Sequence, residues 1–136
     1  MTITEVSQKF DISQDTLRYY ERVGLIPRVN RNKSRVRDYT EEDCNWVEFI
    51  KCMRGAGLPI EVLIEYVRLY IDGGDDETLK ARKELLIEQR NQLASRMEDM
   101  RNVLERLDYK ISIFDQKLLE TEKKLRKAEN PVHKMV

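Results

Sequence analysis

From Asp76 to Ala128 the chain contains neither glycine nor proline, and apolar residues recur there at every seventh position. One row reads Leu79, Leu86, Leu93, Met100, Leu107 and Phe114, and a second reads Met97, Leu104, Ile111, Leu118 and Leu125. Charged side chains fill most of the positions between them. Two apolar rows at heptad spacing specify a coiled-coil helix. A lone helix of roughly fifty residues cannot bury such a stripe by itself, because helical stability comes mainly from packing an apolar face. No second long helix is written in the sequence, so the expected partner is another copy of the chain, in a homodimer. The dimerisation residues are then Leu86, Leu93, Met97, Met100, Leu104, Leu107, Ile111, Phe114 and Leu118. Lys83 and Arg90 make the second row polar at its start. The first third of the helix therefore has a narrower seam and is expected to pack on something other than the coiled-coil partner, such as the other subunit's globular domain.

The run Asp72-Gly-Gly-Asp-Asp76 is the clearest boundary in the chain. It divides a globular region, 1–72, from a coiled-coil helix, 73–128, with a flexible tail at 129–136. In the globular region Thr2-Ile-Thr-Glu5 is a capping box that opens a short helix, with Ile3, Val6 and Phe10 on one face. Asp11-Ile12 makes a tight turn, and Ser13 caps a second helix that presents Leu17 and Tyr20 inward and ends at Gly24. Two short helices joined this way form a helix-turn-helix. Val29 and Val36 flank a polar loop, which predicts two short strands and a hairpin, or wing. Thr40-Glu-Glu-Asp43 caps a third helix, and Leu58-Pro59 restarts a fourth.

Charged residues make up 37% of the chain and its formal net charge is zero, but that balance averages over unlike parts. Between positions 18 and 37, Arg18, Arg22, Arg28, Arg31, Lys33, Arg35 and Arg37 stand against Glu21 alone. A local field of that size attracts a polyanion whatever the total charge. Helix-turn-helix proteins place the second helix in the DNA major groove. Here that helix offers Gln14, Asp15, Arg18, Tyr19 and Arg22, in which arginine can reach bases or phosphates and tyrosine hydroxyls can bond phosphate oxygens. The hairpin adds Arg31, Lys33, Arg35 and Arg37 beside the backbone or in the minor groove. Tyr20 shares a face with Leu17 and reads as core.

Other classes fall away. Cys44 and Cys52 on one helix lie about 12 Å apart along its axis, too far for a disulfide. No Cys/His cluster suggests a metal site, and no cofactor is implied. His133 lies near Pro131, with no role read for it. No nucleophile, base and oxyanion site assembles and no glycine-rich phosphate loop appears, so the chain is not read as an enzyme. No signal peptide or apolar span is present, which points to the cytosol and away from a membrane.

The strings "ITEVSQKFDISQDTLRYYERVGLIP" and "RVRDYTEEDCNWVEFIKCMRGAGLPIEVL" resemble the MerR family of bacterial transcription regulators over residues 2–70, and the long helix extends the resemblance to about 125. The resemblance implies a mainly α fold, a winged helix-turn-helix domain followed by a dimerisation helix in an antiparallel coiled coil. It implies binding to a palindromic promoter operator, with bending and untwisting of the DNA so that RNA polymerase can engage both promoter elements, which is work done on DNA shape. It assigns DNA contacts to Arg18, Tyr19, Arg37 and Arg54. The family's wing commonly reads Gly-aromatic-Arg, whereas this chain has Arg35-Val36-Arg37. The string "FIKCMRGAG" resembles the aldehyde- and electrophile-responsive branch, in which a cysteine at the place of Cys52 is the proposed sensor. A thiolate attacks such electrophiles, and Lys51 or Arg54 could favour it. Chemistry alone favours Cys52 as a small buried hydrophobe, which is also the reading for Cys44. The competing function is a structural or adaptor coiled-coil protein whose basic head binds protein.

Overall fold

The computed structural model describes the backbone of residues 1–135 and the side chains of residues 1–127. Five helices follow in order: α1 Ile3–Phe10, α2 Gln14–Val23, α3 Glu41–Gly55, α4 Ile60–Asp72 and α5 Asp76–Met135. The flexible tail expected over 129–136 lies outside the residues described in full. The architecture is mainly α, a winged helix-turn-helix region followed by one long helix. Among the described residues no helix is long and apolar enough to cross a membrane. The chain falls into two compact units, Met1–Arg90 and Asn91–Val136.

The helix boundaries follow from local chemistry. Thr2 and Glu5 close a capping box: the Thr2 hydroxyl accepts from the Glu5 N–H at 3.1 Å, and the Glu5 carboxylate accepts from the Thr2 N–H at 2.9 Å. Thr40 and Asp43 repeat the device at α3. Asp11 ends α1 in the left-handed region, φ 51°, and Gly24 does so for α2 at φ 85°. Short polar side chains and glycine tolerate that conformation best. The Asp-Gly-Gly-Asp-Asp run stops α4 and also starts α5, where Asp75 accepts from the Thr78 N–H at 2.9 Å.

The core of the first unit gathers Val6 of α1, Leu17 and Tyr20 of α2, Leu25, Ile26 and Val29 beyond it, Tyr39, then Cys44, Val47 and Ile50 of α3 and Leu63 of α4. Tyr20 and Cys44 are thus core residues, as the sequence indicated. Trp46, Phe49, Tyr66 and Tyr70 pack as an aromatic group across α3 and α4, with centroids 5.0–6.2 Å apart. Such pairs add modestly to area burial.

The opening turns of α5 belong to this unit. The Arg82 guanidinium lies 5.3 Å from the Tyr70 ring centre, and Gln89 is buried. The polar start of the second heptad row therefore coincides with turns that also pack within their own protomer. From Met97 onward, Met100, Leu104, Leu107, Ile111, Phe114 and Leu118 are exposed on the single chain, while Leu93 is half-buried.

The wing departs from expectation. Among the described residues no strand forms, and Arg31 and Arg37 make a single antiparallel bridge. Val29 is buried but Val36 is 48% exposed, so only one of the flanking valines joins the core. The loop is closed instead by side-chain chemistry. The Asn32 carboxamide oxygen accepts from the N–H groups of Ser34 at 2.9 Å and Val36 at 3.1 Å. Asparagine in this role replaces ladder bonds with local ones. The Asn32 N–H also donates to Val36 O, and the Asp38 N–H to Asn30 O, both at 2.8 Å.

At the tip of this loop Arg35 sits at φ 61°, the left-handed region that favours glycine. A side chain there is strained, so Arg35→Gly is expected to stabilise the folded chain. The gain is about 0.5–1 kcal/mol after the extra freedom of the unfolded glycine is subtracted. A urea midpoint that falls in this variant would contradict the assignment.

Candidate nucleic-acid interface

Helix α2 and the wing come together around one cleft, lined by Arg18, Glu21, Arg22, Arg28, Arg31 and Arg37. The α2 side follows from its period: Leu17 and Tyr20 turn into the core, which leaves Arg18 and Arg22 on the outer surface. The Arg18 guanidinium donates to Asp15 at 3.1 Å and to Gln14 at 3.4 Å. Arg18 and Asp15 are both exposed, and such a pair holds little free energy, so Arg18 can release it for a phosphate. Gln14 also donates to Thr4 of α1 at 3.2 Å, tying the start of α2 to the first helix. Tyr19 is half-buried and packs against the core, with the Arg22 guanidinium 5.5 Å from its ring centre. Its ring serves the fold as well as the surface.

Arg31 and Arg37 are held rather than free. Glu21 takes Arg37 Nε at 2.7 Å and Arg31 Nη1 at 3.3 Å, and the Val29 N–H donates to it at 2.9 Å. Arg31 Nη1 reaches Val29 O as well, at 2.8 Å. Burial alone would raise the Glu21 pKa, but the donors from Arg37, Val29 and Arg31 together outweigh it and hold the carboxyl below the ordinary range. The carboxylate is therefore ionised at neutral pH. Because its folded pKa is depressed, the stability it contributes is present above the unfolded pKa and is lost only as pH falls through the lower folded value.

The remaining candidate residues are distributed differently. Lys33 and Arg35 stand exposed on the wing loop. Arg54 is not among the cleft residues: it donates to Leu58 O at 2.7 Å and closes the turn between α3 and α4. Three participants were not among the candidate contacts read from the sequence. Arg28 lines the cleft, Asn32 shapes the loop, and Glu21 joins helix to wing. The signal for Glu21 was its being the one acid in a run of seven cations.

Cys52 lies on α3, exposed, in a groove shared with Lys9, Phe10, Glu48, Lys51 and Gly55. The buried-hydrophobe reading of Cys52 is overturned for the single chain. Neighbouring Lys51 directs its ammonium to the carbonyls of Phe10 and, at 3.2 Å, Asp11, which end α1 and form the turn of the helix-turn-helix. Cys44 is buried, and burial pushes its thiol pKa up. Among the described residues no group of acidic, histidine or cysteine side chains could hold a metal ion.

Two family models match the chain: MerR HTH family regulatory protein over residues 1–69, and MerR, DNA binding, over residues 45–109. The HTH-type transcriptional regulator AdhR of Bacillus subtilis is 56% identical over 93 residues, which are 68% of this chain and 65% of that protein. The chain thus spans slightly less than two thirds of the length of that relative. Among solved structures, one described as a MerR family transcriptional regulator from Listeria monocytogenes is 45% identical, with a TM-score of 0.87 over 95% of this chain and 96% of that one. HiNmlR, a MerR family regulator lacking the sensor domain and bound to promoter DNA, is 26% identical, with a TM-score of 0.75 over 85% of this chain and 90% of that one.

Proposed function

We infer the function from one premise: the chain belongs to the MerR family of helix-turn-helix regulatory proteins. It is a transcriptional regulator with a DNA-binding domain. Beyond that, our reading is that two copies pair through α5 as an antiparallel coiled coil and bind a palindromic promoter operator in the cytoplasm. There they deform the DNA for RNA polymerase. The observation that carries this reading is the cleft in which Arg18 and Arg22 of α2 meet Arg28, Arg31 and Arg37 of the wing region. An arginine cleft beside an exposed helix fits a DNA backbone next to a major groove. In this reading Lys33 and Arg35 of the wing tip, with Gln14, Asp15 and Tyr19 of α2, lie along the same DNA. Arg54 contributes from the α3–α4 turn.

The second part of the proposal concerns control. Cys52 adds to an aldehyde or another electrophile, a reaction open to an exposed thiol. Its proximity to Lys51, which braces the helix-turn-helix turn, gives the adduct a route to the DNA-binding helices. The adaptor alternative predicts no salt-sensitive attachment to DNA.

Binding to a duplex selected by the chain from a random pool tests the first part. A dimer that engages on the order of six to eight phosphates should lose roughly a thousandfold or more in affinity between about 50 mM and 200 mM salt. Arg18→Ala should abolish detectable operator binding, and in any residual binding flatten that dependence by about one phosphate per copy. Affinity indifferent to salt, or unchanged in Arg18→Ala, would sink this reading of the cleft.

A further inference from the structure

The cleft contains one acid among five arginines. On charge alone, a carboxylate facing a polyanion weakens binding to every DNA sequence. It is nevertheless the most buried side chain lining the cleft. The Glu21 side chain is 8% exposed, against 33% for Arg31 and 26% for Arg37. Both of its oxygens are engaged: Oε1 with Arg37 Nε, and Oε2 with Arg31 Nη1 and the Val29 N–H. A guanidinium is a rigid plane with five donors, so fixing one edge aims the others. The Nε bond uses part of the Arg37 fork and leaves its other donors directed by that contact. The bond from Val29, itself buried at the root of the wing, ties the loop's backbone to the same carboxylate. One side chain on α2 thereby sets where the wing stands relative to that helix.

We propose that Glu21 is a positioning residue for DNA recognition: it fixes Arg31 and Arg37 relative to α2, so that helix and wing engage one operator in register, trading general affinity for preference. This rests on the DNA-binding reading above. Its distinctive consequence is a split in sign. Removing Glu21's charge should raise or preserve affinity for arbitrary DNA while lowering affinity for the operator. A residue that acts only through charge would move both upward together, and one that acts only through stability would move both downward.

The experiment uses the full chain and two duplexes: one selected by the wild type from a random pool, and a scrambled duplex of the same composition. Glu21→Gln keeps the shape and removes the charge. Glu21→Asp keeps the charge but is one methylene too short to reach both arginines. Both variants are expected to lose at least about tenfold of the preference for the selected duplex, the scale of one charge-assisted hydrogen bond. The scrambled duplex should bind the Gln variant as well as or better than wild type, and the Asp variant as wild type. If both variants keep the wild-type ratio, the positioning role is overturned and the DNA reading stands. If the wild type itself prefers neither duplex, the DNA reading falls and takes this one with it. Should the Gln variant fail to fold, the Asp variant decides. If neither shows cooperative unfolding, Glu21 is an ordinary structural residue and the proposal is wrong.

Discussion

Leu107→Lys is expected to leave the chain monomeric under conditions in which the wild type is expected to sediment as a dimer. Leu107 occupies the middle of the first heptad row and is 55% exposed on the single chain. Pairing through α5 would cover it, and a lysine there would place an unpaired ammonium in an apolar seam from each copy. A buried charge without a partner costs about 3–5 kcal/mol. Across two copies the dissociation constant should therefore rise at least about a thousandfold. Sedimentation equilibrium reads the outcome directly. A mass that stays at twice 16.2 kDa would show that the seam lies elsewhere on α5. The first unit should remain folded in this variant, because its core is built from α1 to α4 with the opening turns of α5. Operator affinity should fall nonetheless, since a palindrome needs two linked heads.

Cys52→Ser should remove induction completely and leave DNA binding intact. A hydroxyl keeps nearly the same shape in the exposed groove but is far less nucleophilic than a thiolate. A reporter on the regulated promoter, challenged with formaldehyde, methylglyoxal, a quinone and a thiol oxidant, would show induction in wild type and none in the variant. Equal responses in the two proteins would remove Cys52 from the sensing step. The search would then move to a ligand site elsewhere in the first unit. Cys44 makes a useful contrast in the same assay. It is buried and its thiol is held protonated by burial, so a conservative change there should act on stability before it acts on response.

The sequence was most legible where one residue type solves one backbone problem. Thr2 with Glu5 and Thr40 with Asp43 announced capping boxes, and both are present. Gly24 marked a helix end and Asp11 a tight turn, and both residues take the left-handed conformation there. Periodicity placed Leu17 and Tyr20 inward, where they are buried. The wing was legible only as a location. Val29 and Val36 flanking a polar loop suggested strands, but the span is short and the N–H groups of Ser34 and Val36 turn to the Asn32 side chain instead of a ladder. The candidate site was read as a list of side chains, most of them cations, each acting alone. What the list could not carry was the acid that organises them, because the pairing of Glu21 with Arg37 spans sixteen positions and depends on how the wing folds back. Arg54, to which the family resemblance assigns a DNA contact, also makes a bond no sequence signal announced, from its guanidinium to Leu58 O.

Helix α5 also has a bearing on how the protein is made. From Met97 to Leu125 the apolar residues of both heptad rows lie open on the single chain, and a helix is held mainly by packing such a face. Under pairing through α5, its folding becomes a bimolecular event, and the fraction of complete regulator depends on chain concentration. At low copy number newly made heads would be folded while their stalks await a mate. Supply of active regulator would then rise more steeply than synthesis, and dilution at cell division would silence it more sharply than it reduces the chain.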